Sequence, residues 1–498
     1  MILRELVYGV DIKNFKGDDS LDVPGISFDS NKVKESFLFV ALKGVNTDGH
    51  IYIESAVRNG AKALIVEKAP DKNFKDVSVV EVNDSRAALA AVSANFFGHP
   101  TKELTLVGVT GTNGKTTITY LLESIWKEDN KNSGVIGTID YRYGENKIQS
   151  SMTTPESLDL MEMFREMREA GVETVAMEVS SHAIDKQRVK ECHFDAGVFT
   201  NLTQDHLDYH DTIDNYFEVK KRLFTELLEE SVKKDKFSII NIDDPYGARI
   251  VEDAPGNLVT YSINNEAATV YAVSSEITDN GIEANINTPQ GRIEIKSALL
   301  GEHNLSNILA AVATAISLGS PMHAIEKGIS KISAVPGRLE GVPNNRGFNV
   351  LVDYAHTPDA LKNVLLASGV LTKGRLILVF GCGGDRDSAK RPLMGKIGKE
   401  LSDILIVTSD NPRTEDPEII LDHIEEGVYQ AGQDSKPYYR ISDRKEAIKQ
   451  AIKTAKKNDT ILIAGKGHED YQIIGTTKYP FDDSLIAREA LKEIELSG

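Results

Sequence analysis

The sequence predicts an α/β fold in three domains, on three observations. Apolar strand-like runs alternate with stretches of helical periodicity along most of the chain, the pattern of sheets joined by crossover helices. That alternation breaks and restarts twice, at Gly98 and Pro100 in FFGHPTKE and at Pro336 and Gly337 in AVPGR. The 498 residues also exceed what one core of ordinary domain size accommodates. The expected units are a small N-terminal α/β domain (1–98), a central domain on a parallel sheet (99–335) and a C-terminal Rossmann-like domain (336–498).

In the first unit the strand candidates are SFLFVAL (36–42) and ALIVE (63–67). LTLVGV, TVAMEV, AGVFTN and FSIIN follow in the second, with helical spacing between them, while Tyr261 to Ile295 reads as β-rich and irregular. NVLVDY, LILVF, ILIVT and TILIAG supply the third. No internal repeat or low-complexity tract interrupts them.

Composition narrows the function classes. With 41% apolar and 27% charged residues the chain is globular. Its net charge of −18 opposes nucleic acids and acidic membrane surfaces, so any anionic ligand must be met by local cations and helix N-termini. Two cysteines, Cys192 and Cys382, make no disulfide framework and suit a reducing compartment. The N-terminal stretch breaks its apolar run with Arg4 and Glu5, and no later segment reaches the ~18 apolar residues of a membrane span. A cytoplasmic, monomeric protein with no nucleic-acid partner and no membrane insertion is expected.

LTLVGVTGTNGKTTITYLLESIW places a strand, a Gly-rich turn and a helical apolar face (Ile118, Leu121, Leu122, Ile125, Trp126) in succession, the context of a phosphate loop. Gly111 and Gly114 let backbone amides converge on phosphate oxygens, Lys115 reaches the terminal phosphates and Thr116 offers a hydroxyl to Mg²⁺. The strict GxxxxGK[ST] pattern fails by one residue, since Val109 holds the first glycine's place. GCGGDRD is no dinucleotide fingerprint, because the third glycine of GxGxxG is missing, and no redox cofactor is implied.

GTNGKTT resembles the Mur ligase family, ATP-dependent amide-forming enzymes of peptidoglycan precursor synthesis. TTP (153–155), MEVSSH (177–182), NLTQDHLDYH (201–210), GEHNLSN (301–307), PGRLE (336–340), VDYAHTPDAL (352–361), GCGGDRD (381–387), DNPRTEDP (410–417) and GKGHE (465–469) extend the resemblance over all but the N-terminal unit. The ensemble is most similar to members that add meso-diaminopimelate as the third amino acid. The resemblance implies ATP and Mg²⁺ as requirements, UDP-MurNAc-L-Ala-D-Glu and meso-2,6-diaminopimelate as substrates, and an acyl phosphate on the D-Glu γ-carboxylate. It assigns ATP to Gly111, Thr112, Asn113, Gly114, Lys115, Thr116, Thr117, Asn304, Arg338 and Asp353.

It further implies that Glu178 and His206, at the carboxyl ends of two strands, ligate a second Mg²⁺, although histidine is an unexpected ligand for that ion. Lys220, which composition alone would place on a solvated basic face with Lys221 and Arg222, is carried over as a carbamylated lysine (N6-carboxylysine) whose oxygens serve the metal. That modification requires an amine pKa far below ~10.4. Lys115, Lys220, Glu178 and His206 are the implied catalytic set, and Ser30, Thr153, Thr154, Ser180 and Arg188 the implied muramoyl contacts. Lys186 stands where the family usually carries Gln, so neither it nor Gln187 is assigned. His356 lies in a motif that also serves folding, since Thr357 and Pro358 read as N-cap and first residue of a helix.

For the amino acid, Arg386, Asp410, Asn411, Arg413, Gly465 and Glu469 are expected to line one site. Arginine forks suit the second carboxylate that distinguishes diaminopimelate from lysine, and the plain alternative for Arg413 is a surface ion pair with Glu415 or Asp416. The same reaction with L-lysine, a folylpolyglutamate-type ligase and an ATPase switch are the competing readings; a switch would hydrolyse ATP without the other substrates.

Overall fold

The computed structural model describes residues 1–44, 47–278, 280–432 and 436–497, which fold around three principal sheets. In the first unit β1 (Ile12–Lys16), β2 (Ile26–Ser27), β3 (Leu38–Val40), β4 (Ala63–Val66) and β5 (Ser78–Val82) pair in the order β1-β5-β4-β3-β2, parallel except for β1. The helix Ser85–Phe97 closes this sheet. Asp84 caps its first turn, accepting the Arg86 and Ala87 amides at 2.8 and 3.1 Å, and Gly98 ends it at φ 73°. Gly98, read from sequence as part of a linker, is therefore a helix terminator as well.

The central sheet has eleven strands among the described residues. β6 (Thr105–Thr110), β7 (Ser133–Ile136), β8 (Asp140–Tyr143), β9 (Asn146–Gln149), β10 (Thr174–Glu178), β11 (Ala196–Phe199), β12 (Phe237–Asn241), β13 (Asn257–Ser262), β14 (Val270–Thr278), β15 (Gly281–Thr288) and β16 (Gly291–Ser297) lie in the order β16-β15-β14-β13-β12-β11-β6-β10-β7-β8-β9. Only the middle, from β14 to β7, is parallel; both flanks are antiparallel. This corrects two expectations. The sheet is mixed, and the segment read as irregular is a regular meander with one register shift between Ala272 and Ser274. Its alternation of buried and exposed residues along β15 reflects one face packed on the core and one on solvent.

The third unit orders β17 (Glu340–Gly341), β18 (Asn349–Asp353), β19 (Leu376–Phe380), β20 (Ile404–Val407), β21 (Tyr438–Arg440) and β22 (Thr460–Ala464) as β17-β18-β22-β19-β20-β21, parallel but for β17. β19, β20 and β22 are buried throughout, as strands covered on both faces must be. A hairpin, β23 (Tyr471–Ile474) with β24 (Thr477–Pro480), follows. Among the described residues no helix is long and apolar enough to cross a membrane.

The helix Lys115–Glu128 illustrates the forces at work. Ile118, Leu121, Leu122, Ile125 and Trp126 are all fully buried, each worth about 1.5–3 kcal/mol of transfer free energy. That face clamps the helix against the central core, so its N-terminus, where the Gly-rich loop ends, is held in place.

Candidate active site

The loop between β6 and the helix Lys115–Glu128 is built on two glycines with φ of 147° (Gly111) and 91° (Gly114). A side chain at either is excluded twice over, by conformation and because a Cβ would run into the Thr200 hydroxyl or the Asn307 amide. The loop is anchored from the neighbouring strand end: Thr112 N–H donates to Asn201 O and Asn113 N–H to Asn201 Oδ1, both at 2.9 Å, while Thr200 Oγ1 donates to Asn113 O at 2.6 Å. Asn113 also donates to Asp359 of the third unit at 3.1 Å.

Two lysines converge on this loop. Lys115 Nζ donates to Gly111 O and Thr112 O, and Lys220 Nζ donates to Gly111 O, each at 2.9 Å. The solvated-face reading of Lys220 is overturned: the residue is 1% exposed on the inner side of the helix Ile213–Arg222, its ammonium 4.6 Å from the Tyr216 ring centre, while Lys221 pairs with Asp253 at the surface. Burial, and then the Lys115 charge, push the Lys220 pKa well below the ordinary lysine value despite Asp205. Lys115 is lowered too, chiefly by burial, with Glu178 opposing.

Glu178 ends β10 almost fully buried. It accepts the Thr116 hydroxyl (3.0 Å), the Thr138 amide (2.9 Å) and the Thr138 hydroxyl (2.9 Å), and a carboxylate has about four lone-pair sites, so capacity remains for a cation. Thr116 in turn accepts from Arg338 Nη2 at 3.1 Å. A buried carboxylate beside a hydroxyl is a hard-oxygen donor set that fits Mg²⁺. His206, at φ 55°, pairs with Asp205 at 3.3 Å, and burial pushes its ring down to about 3 against that carboxylate. Tyr216 lies edge-on to His206 and in contact with Lys220, linking the two.

Several predicted contacts form a framework instead of pointing into open space. Thr153 Oγ1 lies 3.1 Å from Thr138 Oγ1, Thr154 Oγ1 donates to Glu178 O at 2.8 Å, and Ser180 caps the helix Ser181–Asp185. Arg188 is held by Glu156 at 2.7 Å and by Thr154 O at 3.1 Å; Arg86 from the first unit shares the same glutamate. Asp353 accepts the Leu339 and Ala355 amides at 2.7 Å each, and Asn304 donates to Leu300 O at 2.8 Å. Thr117 is buried in the loop helix, and Ser30 is buried in the first unit with its carbonyl on Asn59. Lys186 rests its ammonium 5.2 Å from the Tyr209 ring. Thr357 and Pro358 do cap and start the helix Pro358–Leu371.

A cleft of about 660 Å³ runs between the strand carboxyl ends of the central and third units. Thr153, His206, Arg386, Asp410, Asn411, Arg413, Gly465 and Glu469 all line it, as does Thr138, the partner of Glu178. Ser30, Thr154, Glu178, Ser180, Arg188, Lys220, Asn304, Arg338, Asp353 and the loop residues 111–117 do not. Arg413 escapes the surface ion pair because Glu415 is taken by Arg391, whose two amino groups meet its two oxygens at 2.9 Å. Arg413 instead donates to Gly384 O at 2.7 Å, and the hairpin fixes its backbone through Ile473 and Gly475. Arg386 forms no hydrogen bond or ion pair among the described residues and faces the cleft.

Sequence reasoning missed two residues here. Asp205 joins His206, His356 at 3.9 Å and Lys390 at 3.6 Å; burial would raise its carboxyl, but these three groups hold it far below the usual range. Asp205 lay inside a motif already singled out, but nothing marked it as a bridge between units. Lys466 is fully buried among Asn411 Oδ1 (3.0 Å), Glu469 Oε2 (3.1 Å) and Asp410 Oδ1 (3.4 Å). Asn411 is correspondingly committed, donating to Glu469 at 2.9 Å while accepting from Lys466 and the Ile473 amide. Replacing Lys466 by Met strands those carboxylates, and urea unfolding should show a loss of about 3–5 kcal/mol. An unchanged midpoint would rule out that role.

A second cavity of about 430 Å³, lined by Gly301, His303, Ser306 and Asn363, adjoins the helix Glu302–Ser317 that carries Asn304. Burial pushes His303 down to about 4, so its ring is neutral.

Comparison with known proteins adds three family matches: the Mur ligase catalytic domain at residues 22–97, the Mur ligase middle domain at 109–315 and the Mur ligase glutamate ligase domain at 337–467. A UDP-N-acetylmuramoyl-L-alanyl-D-glutamate–2,6-diaminopimelate ligase of Geobacter metallireducens is 46% identical, covering 100% of both chains. One from Caldanaerobacter subterraneus subsp. tengcongensis is 43% identical over 99% of this chain and 100% of its own. A solved structure of a ligase of that name superposes with TM-score 0.70 at 32% identity, covering 99% of each chain. MurF from Acinetobacter baumannii, 20% identical with TM-score 0.67 over 100% of this chain and 98% of its own, shares the fold.

Proposed function

The chain belongs to the Mur ligase family, and from that premise we propose that it joins meso-2,6-diaminopimelate to the D-Glu γ-carboxylate of UDP-MurNAc-L-Ala-D-Glu, using ATP. The observation that carries this reading is a cleft with an arginine-lined amino-acid end whose lining residue Thr138 donates to Glu178, the carboxylate that accepts from Thr116 at the end of the Gly-rich loop. A carboxylate and an amine do not condense in water. The γ-carboxylate oxygen therefore attacks the ATP γ-phosphorus, releasing ADP, and the amine then attacks the acyl phosphate carbonyl, releasing phosphate.

The substrates supply electrophile and nucleophile, so the protein's task is positioning and charge neutralisation. Lys115 exchanges its two loop carbonyls for phosphate oxygens, and the adenine occupies the His303 cavity. Thr116, Glu178, His206 and carbamylated Lys220 would hold Mg²⁺, which when bound offsets the negative charge gathered by triphosphate and carboxylate. Arg386 and Arg413 take the distal carboxylate of diaminopimelate, while Lys466 and Asn411 orient Glu469. The UDP end extends over Thr153, Thr154, Ser180 and Arg188 toward Ser30, with residues 1–98, 99–335 and 336–498 serving as muramoyl, nucleotide and amino-acid domains. We place the reaction in the cytoplasm and the enzyme as a monomer.

The test is a product assay with ATP, Mg²⁺ and the UDP-muramoyl dipeptide, offering meso-diaminopimelate and L-lysine in parallel. Tripeptide should form with diaminopimelate, and phosphate should appear only when both acceptor and amino acid are present; lysine product or uncoupled hydrolysis overturns the reading. Arg413→Ala should raise KM for diaminopimelate about 30-fold with kcat little changed, the loss of a charge-assisted contact. An unaltered KM would remove Arg413 from the specificity site.

A further inference from the structure

We propose that His99, Glu191 and His193 form a zinc-type divalent-cation site that staples the end of the first unit to the central sheet. One ring nitrogen from each histidine and one carboxylate oxygen of Glu191 lie within 4.8 Å of one another, all three residues half-buried. They are on separate segments. His99 follows the helix Ser85–Phe97 by one residue beyond Gly98, whereas Glu191 and His193 sit on the turn leading into β11.

The groups are gathered but not bonded to each other. Glu191 makes no side-chain hydrogen bond or ion pair among the described residues, and His99 Nδ1 is buried with no partner. Among the described residues the His193 ring has only a 3.5 Å approach from the Val232 amide, at the limit of hydrogen bonding. Three half-buried ligating groups that approach without touching leave a gap that a bridging species fills. Ligands at ~2.0–2.1 Å from a tetrahedral ion stand about 3.3 Å apart, so each side chain needs to close in by at most about 0.9 Å.

The surroundings are rigid. Thr101, fully buried, donates to Glu191 O at 3.3 Å and accepts the His193 amide at 3.2 Å, pinning the two segments together at the site. Cys192 between them is turned into the core, where burial pushes its thiol up, so it is not a ligand. Burial, and then Lys102, lowers the pKa of both imidazoles, that of His193 to about 4. Lys102, Lys190 and Lys233 nearby oppose a cation and set a modest affinity, Glu230 partly offsetting them.

The full-length protein, its cleft filled with excess Mg²⁺ and ADP, is incubated with Zn²⁺ alone, desalted and assayed for metal, with Co²⁺ absorption reporting tetrahedral geometry. Wild type should retain one ion per chain and gain thermal stability from it; His193→Gln and Glu191→Gln should lose both effects while keeping ligase activity and circular dichroism. Lys102→Ala should tighten binding several-fold. Equal zinc in wild type and variants, or none in either, overturns the proposal.

Discussion

Lys115→Ala should lower the ligation rate by about 10³-fold with the fold intact, the scale expected when a preorganised donor to developing charge is removed. The geometry explains why the effect falls on catalysis. Among the described residues Lys115 Nζ binds only the carbonyls of its own loop, Gly111 and Thr112, so its removal detaches no other element. The loop's shape depends on Gly111, Gly114 and the Thr200 and Asn201 anchors, none of which the substitution disturbs. Phosphate release in the presence of all three substrates is the readout, with circular dichroism confirming folding. Ligation at parental speed would show that the γ-phosphoryl group is stabilised elsewhere, and the reading of this loop would fall with it.

The parts of this site legible in the sequence are those where chemistry and local structure coincide. Strand, glycine turn and helical apolar face are contiguous, so the strand–loop–helix carrying Lys115 and Thr116 could be read from residues 104–126 alone. Glu178 at the end of β10 and the Thr357 cap followed the same logic. What stayed hidden depends on contacts across the chain. Lys466 is a basic residue in a glycine-rich loop until the fold buries it against Asp410, 56 positions away, and Asp205 becomes a bridge only once Lys390 of the third unit approaches it. Composition placed Lys220 on a solvated face because periodicity reveals which residues share a helix side, not what covers that side. The meander β14 to β16 read as irregular for a related reason: its alternation is one-sided, and Gly281 and Gly291 open two of its strands.

The second large effect concerns Lys220. An exposed lysine is protonated at neutral pH and inert toward CO₂; burial and the neighbouring Lys115 charge depress its pKa, which favours the neutral amine that carbamylation needs. The sign is fixed by that direction. Acidification restores the ammonium and drives the carbamate apart, so activity should fall as pH drops and should depend on dissolved CO₂ in the wild type. Lys220→Ala should then lose about 10²–10³-fold in rate, the cost of a missing charge-stabilising ligand, and recover in part with added formate or acetate, which can occupy the space and supply an anionic oxygen. Lys220→Arg, which keeps positive charge but cannot be carbamylated, should remain inactive without rescue. Lys221→Ala, on the outer face and paired with Asp253, is the control and should leave the rate unchanged. Full activity of Lys220→Ala without added carboxylate would reduce Lys220 to a buried support of the Gly111 carbonyl and leave Glu178, Thr116 and His206 as the whole of the proposed metal-binding set.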